Sequence, residues 1–112
     1  MLMFEHNPPL LTPQHLAGHI KASAVLKAMS NEARLMILCQ LIDTEKSVSE
    51  LEEMIGLSQS ALSQHLAVLR ENGLVQTERH GQSIMYSLAG PHPRAIIKVL
   101  HKLYSQCPGS GL

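Results

Sequence analysis

Ser47-Val48-Ser49-Glu50-Leu51-Glu52-Glu53-Met54-Ile55-Gly56, followed after Leu57 by Ser58-Gln59-Ser60-Ala61-Leu62-Ser63-Gln64-His65-Leu66, is the stretch on which the fold turns. Ser47 and Glu50 have capping-box spacing, in which the serine hydroxyl accepts from the Glu50 amide and the Glu50 carboxylate accepts from the Ser47 amide. They predict a short helix that buries Leu51, Met54 and Ile55, and Gly56 permits the left-handed turn that stops it. Ser58 caps the next helix, which turns Leu62, Leu66 and Leu69 inward and ends at Asn72-Gly73. After Gly73 the period changes. Leu74-Val75-Gln76-Thr77-Glu78 and Ile84-Met85-Tyr86-Ser87-Leu88 read as two strands, with Ile84, Tyr86 and Leu88 on one face and His80-Gly81-Gln82 as the turn. Two short helices joined tightly and followed at once by a hairpin are the plan of a winged helix–turn–helix.

Outward from this centre the remaining elements are helical. Thr12 caps and Pro13 opens a helix to about Met29, with Leu16, Ile20, Ala24 and Lys27 along one side. Ser30-Asn31-Glu32 opens a second, with Leu35, Leu38, Cys39 and Ile42 as its stripe, and the polar run Asp43-Thr44-Glu45-Lys46 ends it. A last helix starts near Pro91 and carries Ile96, Ile97, Leu100, Leu103 and Tyr104. The fold class is therefore mainly α with a β-hairpin. Residues 1–11 are expected to be a loose arm, 12–106 the DNA-binding domain and 107–112 a tail.

Composition narrows the function. Of the 112 residues 45% are hydrophobic and 16% charged, which suits a globular chain rather than a disordered one. No apolar run approaches the roughly 20 residues of a membrane span, and the N-terminus lacks the plan of a signal peptide, so the expected location is cytoplasmic with no membrane partner. Aromatic residues are too scarce for stacking single-stranded bases. Formal charge is zero but unevenly spread: residues 1–57 hold four bases and seven acids, and residues 58–112 hold five bases and two acids. An uneven solvated surface accounts for that as well as a DNA footprint does. No cofactor motif is present, and no histidine near either cysteine in sequence suggests a catalytic base, so an enzyme is not expected.

On the helix after Ser58 the inward leucines leave Gln59, Ser60, Ser63, Gln64 and Ala67 outside. This uncharged polar face can read base edges, glutamine pairing with adenine, while adding little non-specific attraction. Arg79 and His80 fall at the hairpin tip, where a wing meets phosphate or the minor groove, and Arg70 lies near the end of the reading helix. An ordinary solvated face would have similar composition; the hairpin placed directly behind it favours double-stranded DNA.

Three separated motifs carry a resemblance: Leu26-Lys27-Ala28-Met29-Ser30-Asn31-Glu32-Ala33-Arg34-Leu35, Leu57 through Leu66, and Leu69-Arg70-Glu71-Asn72-Gly73-Leu74-Val75. Over roughly residues 20–105 the chain resembles the ArsR/SmtB family of dimeric bacterial repressors. The resemblance implies a homodimer built through the first and last helices, an operator that is an imperfect inverted repeat, and a DNA face of Gln59, Ser60, Ser63, Gln64 and His65 with the wing at Arg79 and His80. Where thiophilic-metal sensors of the family carry a cysteine pair, this chain has Ser47 and Ser49. Of the zinc-sensor positions only His92 matches, the others falling on Gly90, Leu103 and Gln106, so His92 and His101 are expected to be simply exposed.

The placement of Cys39 and Cys107 resembles the sulfide- and persulfide-responsive branch of that family. It implies that reactive sulfur species or an oxidant bridge the two cysteines, directly or through extra sulfur, and lower DNA affinity. Relatives of that branch are expected to have the second cysteine where this chain has Ser105; Cys107 lies two residues on, about 200° around an unbroken helix, and Pro108 is expected to fray the helix enough for the thiol to swing back. A buried Cys39 with an inert tail Cys107 is the plain alternative. A metal-responsive repressor using Cys39, Cys107 and His15, His19 or His101 is another.

Overall fold

Side chains at the helix starts do much of the local specification. In the computed structural model, which describes residues 12–104, the elements are α1 (Pro13–Met29), α2 (Glu32–Gln40), β1 (Lys46–Ser47), α3 (Val48–Ile55), α4 (Gln59–Glu71), β2 (Val75–His80), β3 (Ser83–Leu88) and α5 (His92–Tyr104). Thr12 Oγ1 accepts from the His15 amide at 3.1 Å, Asn31 Oδ1 from Arg34 at 3.0 Å and Ser58 Oγ from Ala61 at 3.2 Å. The Ser47–Glu50 capping box is complete, at 3.2 and 2.8 Å. Each cap contributes about 1 kcal/mol by satisfying amides that the first helical turn leaves without partners. Gly56 takes φ +85°, a region that a side chain disfavours, and its amide donates to the Glu52 carbonyl.

The core gathers Ile37, Leu38, Cys39 and Leu41 from the second helix and its end, Leu51 from α3, and Leu62, Leu66 and Leu69 from α4. Leu74, Val75, Leu88 and Ile97 close it from the sheet and α5. The inward stripe expected on α4 is therefore the one observed. No helix among the described residues is long and apolar enough to cross a membrane.

The structure departs from expectation in several places. The polar run after α2 leads into β1, whose Lys46 and Ser47 pair antiparallel with Tyr86 and Met85, giving a three-stranded sheet of order β1-β3-β2 instead of a lone hairpin. The wing is also longer: β2 runs on to His80, which pairs with Ser83, so the turn is only Gly81-Gln82 with Gly81 at φ +65°. Met54, expected in the core, is 47% exposed, because the short α3 turns Leu51 and, partly, Val48 and Ile55 inward and leaves Met54 on its outer side. On the sheet face, Leu88 is buried but Ile84 at the far end of the wing is exposed. His101, expected at the surface, is only 9% exposed. It continues Pro93 and Ile97 at four-residue intervals along the face of α5 that packs on α2, whereas His92 is exposed as expected. Residues 1–11, Ser105, Gln106 and the tail with Cys107 lie outside the described residues.

Candidate nucleic-acid interface

The turn Gly56-Leu57-Ser58 sets α3 and α4 against each other, and the buried leucines of α4 determine which of its sides faces out. Gln59, Ser60, Ser63, Gln64, Ala67 and Arg70 are all exposed. Ser60 Oγ lies 3.4 Å from Ser58 Oγ, so the cap and the first turn share a small hydroxyl cluster at the N-terminal end of the helix. That end carries a partial positive charge from its unpaired amides, which favours a nearby phosphate. The face thus combines hydroxyl and amide groups, able to donate and accept, with one cation at its far end.

His65 does not share this exposure. It is half-buried, and its Nδ1 lies 3.4 Å from the Arg34 guanidinium. Arginine can only donate, so Nδ1 is the acceptor. Arg34 also donates through Nε to the Ala28 carbonyl at 2.6 Å. The end of α1, the start of α2 and the middle of α4 are joined through this one side chain, with His65 as the contact on α4. Arg34 is a residue that sequence reasoning missed. It stood in a quoted motif without a role, and its place one turn inside the Asn31 cap was the available signal.

The wing carries Arg79 exposed beside the turn, its guanidinium donating to the Gly81 carbonyl at 3.4 Å. His80 is exposed too, but its ring lies between carboxylates, with Nε2 3.4 Å from Glu78 Oε1 and 3.7 Å from Glu45 Oε1. A second long-range tie comes from Arg94 on α5, which donates to the Ile42 carbonyl just beyond α2. Cys39 is 2% exposed on α2, among the core side chains, and no free cysteine occurs among the described residues. Of the sequence-suggested metal ligands, His15 and His19 are exposed on α1 while Cys39 and His101 are buried, and no group of three potential ligands among the described residues includes any of them.

Comparison with known proteins agrees with this geometry. Residues 31–77 match the family described as bacterial regulatory protein, arsR family. The chain is 55% identical over 86 residues to the transcriptional activator HlyU of Vibrio cholerae, an alignment covering 77% of this chain and 80% of that one. It is 41% identical over 103 residues to the biofilm growth-associated repressor of Xylella fastidiosa, covering 91% and 90%. Among solved structures, reduced HlyU from Vibrio cholerae superposes with a TM-score of 0.78 at 49% identity, covering 85% of this chain and 100% of that one. These relatives are transcription regulators and not enzymes.

Proposed function

The chain belongs to the ArsR family of bacterial regulatory proteins, DNA-binding regulators with a winged helix–turn–helix, and from that premise we propose that it is a dimeric, thiol-switched repressor. Gln59, Ser60, Ser63 and Gln64 read base edges in the major groove, while Arg70 and Arg79 contact phosphate. His65 sets the helix that does the reading. A second copy of the chain covers the outer faces of α1 and α5. Support for this lies in Ile20, Leu26, Leu103 and Tyr104, which are 60–76% exposed, and in α1 burying only Ala28 and Met29 at its end. A helix so little buried is marginal in water without a partner. Two-fold symmetry then sets two reading helices about 34 Å apart on an imperfect inverted repeat.

The sensing step joins Cys39 to Cys107. The observation that carries it is the burial of Cys39, at 2% exposure, on the helix that α5 packs against. The absence of a free cysteine among the described residues accords with it. A persulfide RSSH reacts first at Cys107, the thiolate taking the outer sulfur to give a protein persulfide and the thiol RSH. The Cys39 thiol then attacks the inner sulfur, forming the disulfide and releasing hydrogen sulfide. Both thiol protons and the persulfide proton leave in the small thiol and the hydrogen sulfide, so the reaction balances. Further sulfur atoms lengthen the bridge without changing its ends. The bridge ties the end of α5 to α2, and Arg34 with His65 passes a movement of α2 on to α4. Mass spectrometry of the protein after glutathione persulfide tests this: a Cys39–Cys107 cross-linked peptide is expected. Two separately persulfidated peptides would overturn the bridge.

A further inference from the structure

The segment after α2 and the outer strand of the wing meet at Glu45, Glu78 and His80. One ligand atom from each lies within 4.8 Å of the others. His80 Nε2 stands 3.4 Å from Glu78 Oε1 and 3.7 Å from Glu45 Oε1. Two ligands on neighbouring corners of a zinc tetrahedron, each about 2.0–2.2 Å from the ion, stand about 3.3–3.6 Å apart. The His80–Glu78 pair has the spacing of two ligands on one ion, and the His80–Glu45 pair lies just beyond it. Charge points the same way. Two carboxylates converge on one imidazole edge, and among the described residues neither forms an ion pair with a lysine or arginine.

We propose that Glu45, Glu78 and His80 form a binding site for a divalent cation of the zinc class. One imidazole nitrogen and two carboxylate oxygens match the borderline preferences of zinc, and a water molecule completes the tetrahedron. The site uses neither cysteine and none of His15, His19 and His101. An ion there neutralises two negative charges on the wing and ties β2 to the segment that leads into β1 and α3. Because Glu45 precedes the Ser47 cap of α3, occupancy also holds the wing against the helix–turn–helix.

The test is zinc titration of the full chain carrying both Cys39→Ser and Cys107→Ser, in competition with a chromophoric chelator. One zinc per chain is expected, with the histidine resonances of His80 shifting on addition. His80→Gln and Glu45→Gln, each added to that background, are expected to weaken binding by about tenfold or more while leaving the circular dichroism unchanged. Absence of binding in the cysteine-free chain, or equal affinity in the His80→Gln chain, would overturn the site. The readout uses no DNA and no thiol, so failure of the switch reading does not produce either result.

Discussion

Replacing His101 with leucine should stabilise the protein. The ring is 9% exposed, and among the described residues neither Nδ1 nor Nε2 has a hydrogen-bond partner. A buried polar group left without partners lowers stability by about 1–3 kcal/mol relative to one that is satisfied. Leucine has a similar volume and suits the stripe formed with Ile97 on the face of α5 that packs on α2. Imperfect shape match costs about 1 kcal/mol. A net gain of about 1 kcal/mol follows, which for a domain of this size raises Tm by roughly 5 °C. The assay is thermal unfolding by circular dichroism on reduced wild type and His101→Leu at matched protein concentration, since dimerisation makes Tm concentration-dependent. Ile97→Ala provides the contrast, with a loss of about 2–5 kcal/mol expected from the neighbouring position. A lower or unchanged Tm for His101→Leu would refute the reasoning, because the ring would then be making polar contacts worth as much as its burial costs.

Gln64→Ala should weaken specific DNA binding by about 1–3 kcal/mol and relax preference at one base position, whereas Arg79→Ala should weaken all sequences alike and flatten the salt dependence. Binding titrations on operator and scrambled duplexes at several salt concentrations distinguish the two. Leu103→Glu places a charge on the outer face of α5 and should give a monomer by analytical ultracentrifugation, with operator affinity lost in proportion. Arg34→Met removes the donor shared by the Ala28 carbonyl and His65, so unfolding in urea should report a loss of about 1.5–3 kcal/mol.

Features set by neighbouring residues were legible in the sequence. The Ser47–Glu50 box, the Thr12 and Ser58 caps and the left-handed Gly56 all act within one turn of chain, and all occur where the residues placed them. The inward leucines of α4, and with them the exposure of Gln59, Ser60, Ser63 and Gln64, follow from helical period alone. Features set by distant partners were not. Lys46-Ser47 has no strand pattern of its own and becomes β1 only because Tyr86 and Met85 lie beside it. His101 is polar in an amphipathic helix, and only the packing of α5 on α2 reveals that its side is the inner one. His65 reads as one more polar residue of the recognition face until Arg34, 31 positions earlier, is seen to hold it. Glu45 likewise gains meaning from His80 across the sheet.

Operator release by persulfide in single-cysteine variants tests the switch most directly. Fluorescence anisotropy of a labelled operator would be followed for reduced wild type, Cys39→Ser and Cys107→Ser before and after glutathione persulfide. All three reduced proteins should bind alike. Wild type should then lose about 5 kcal/mol of affinity, the amount that takes a regulator from almost wholly bound to almost wholly free, while neither variant should release. Release persisting in either variant would contradict the two-cysteine switch and leave the winged-helix regulator without it.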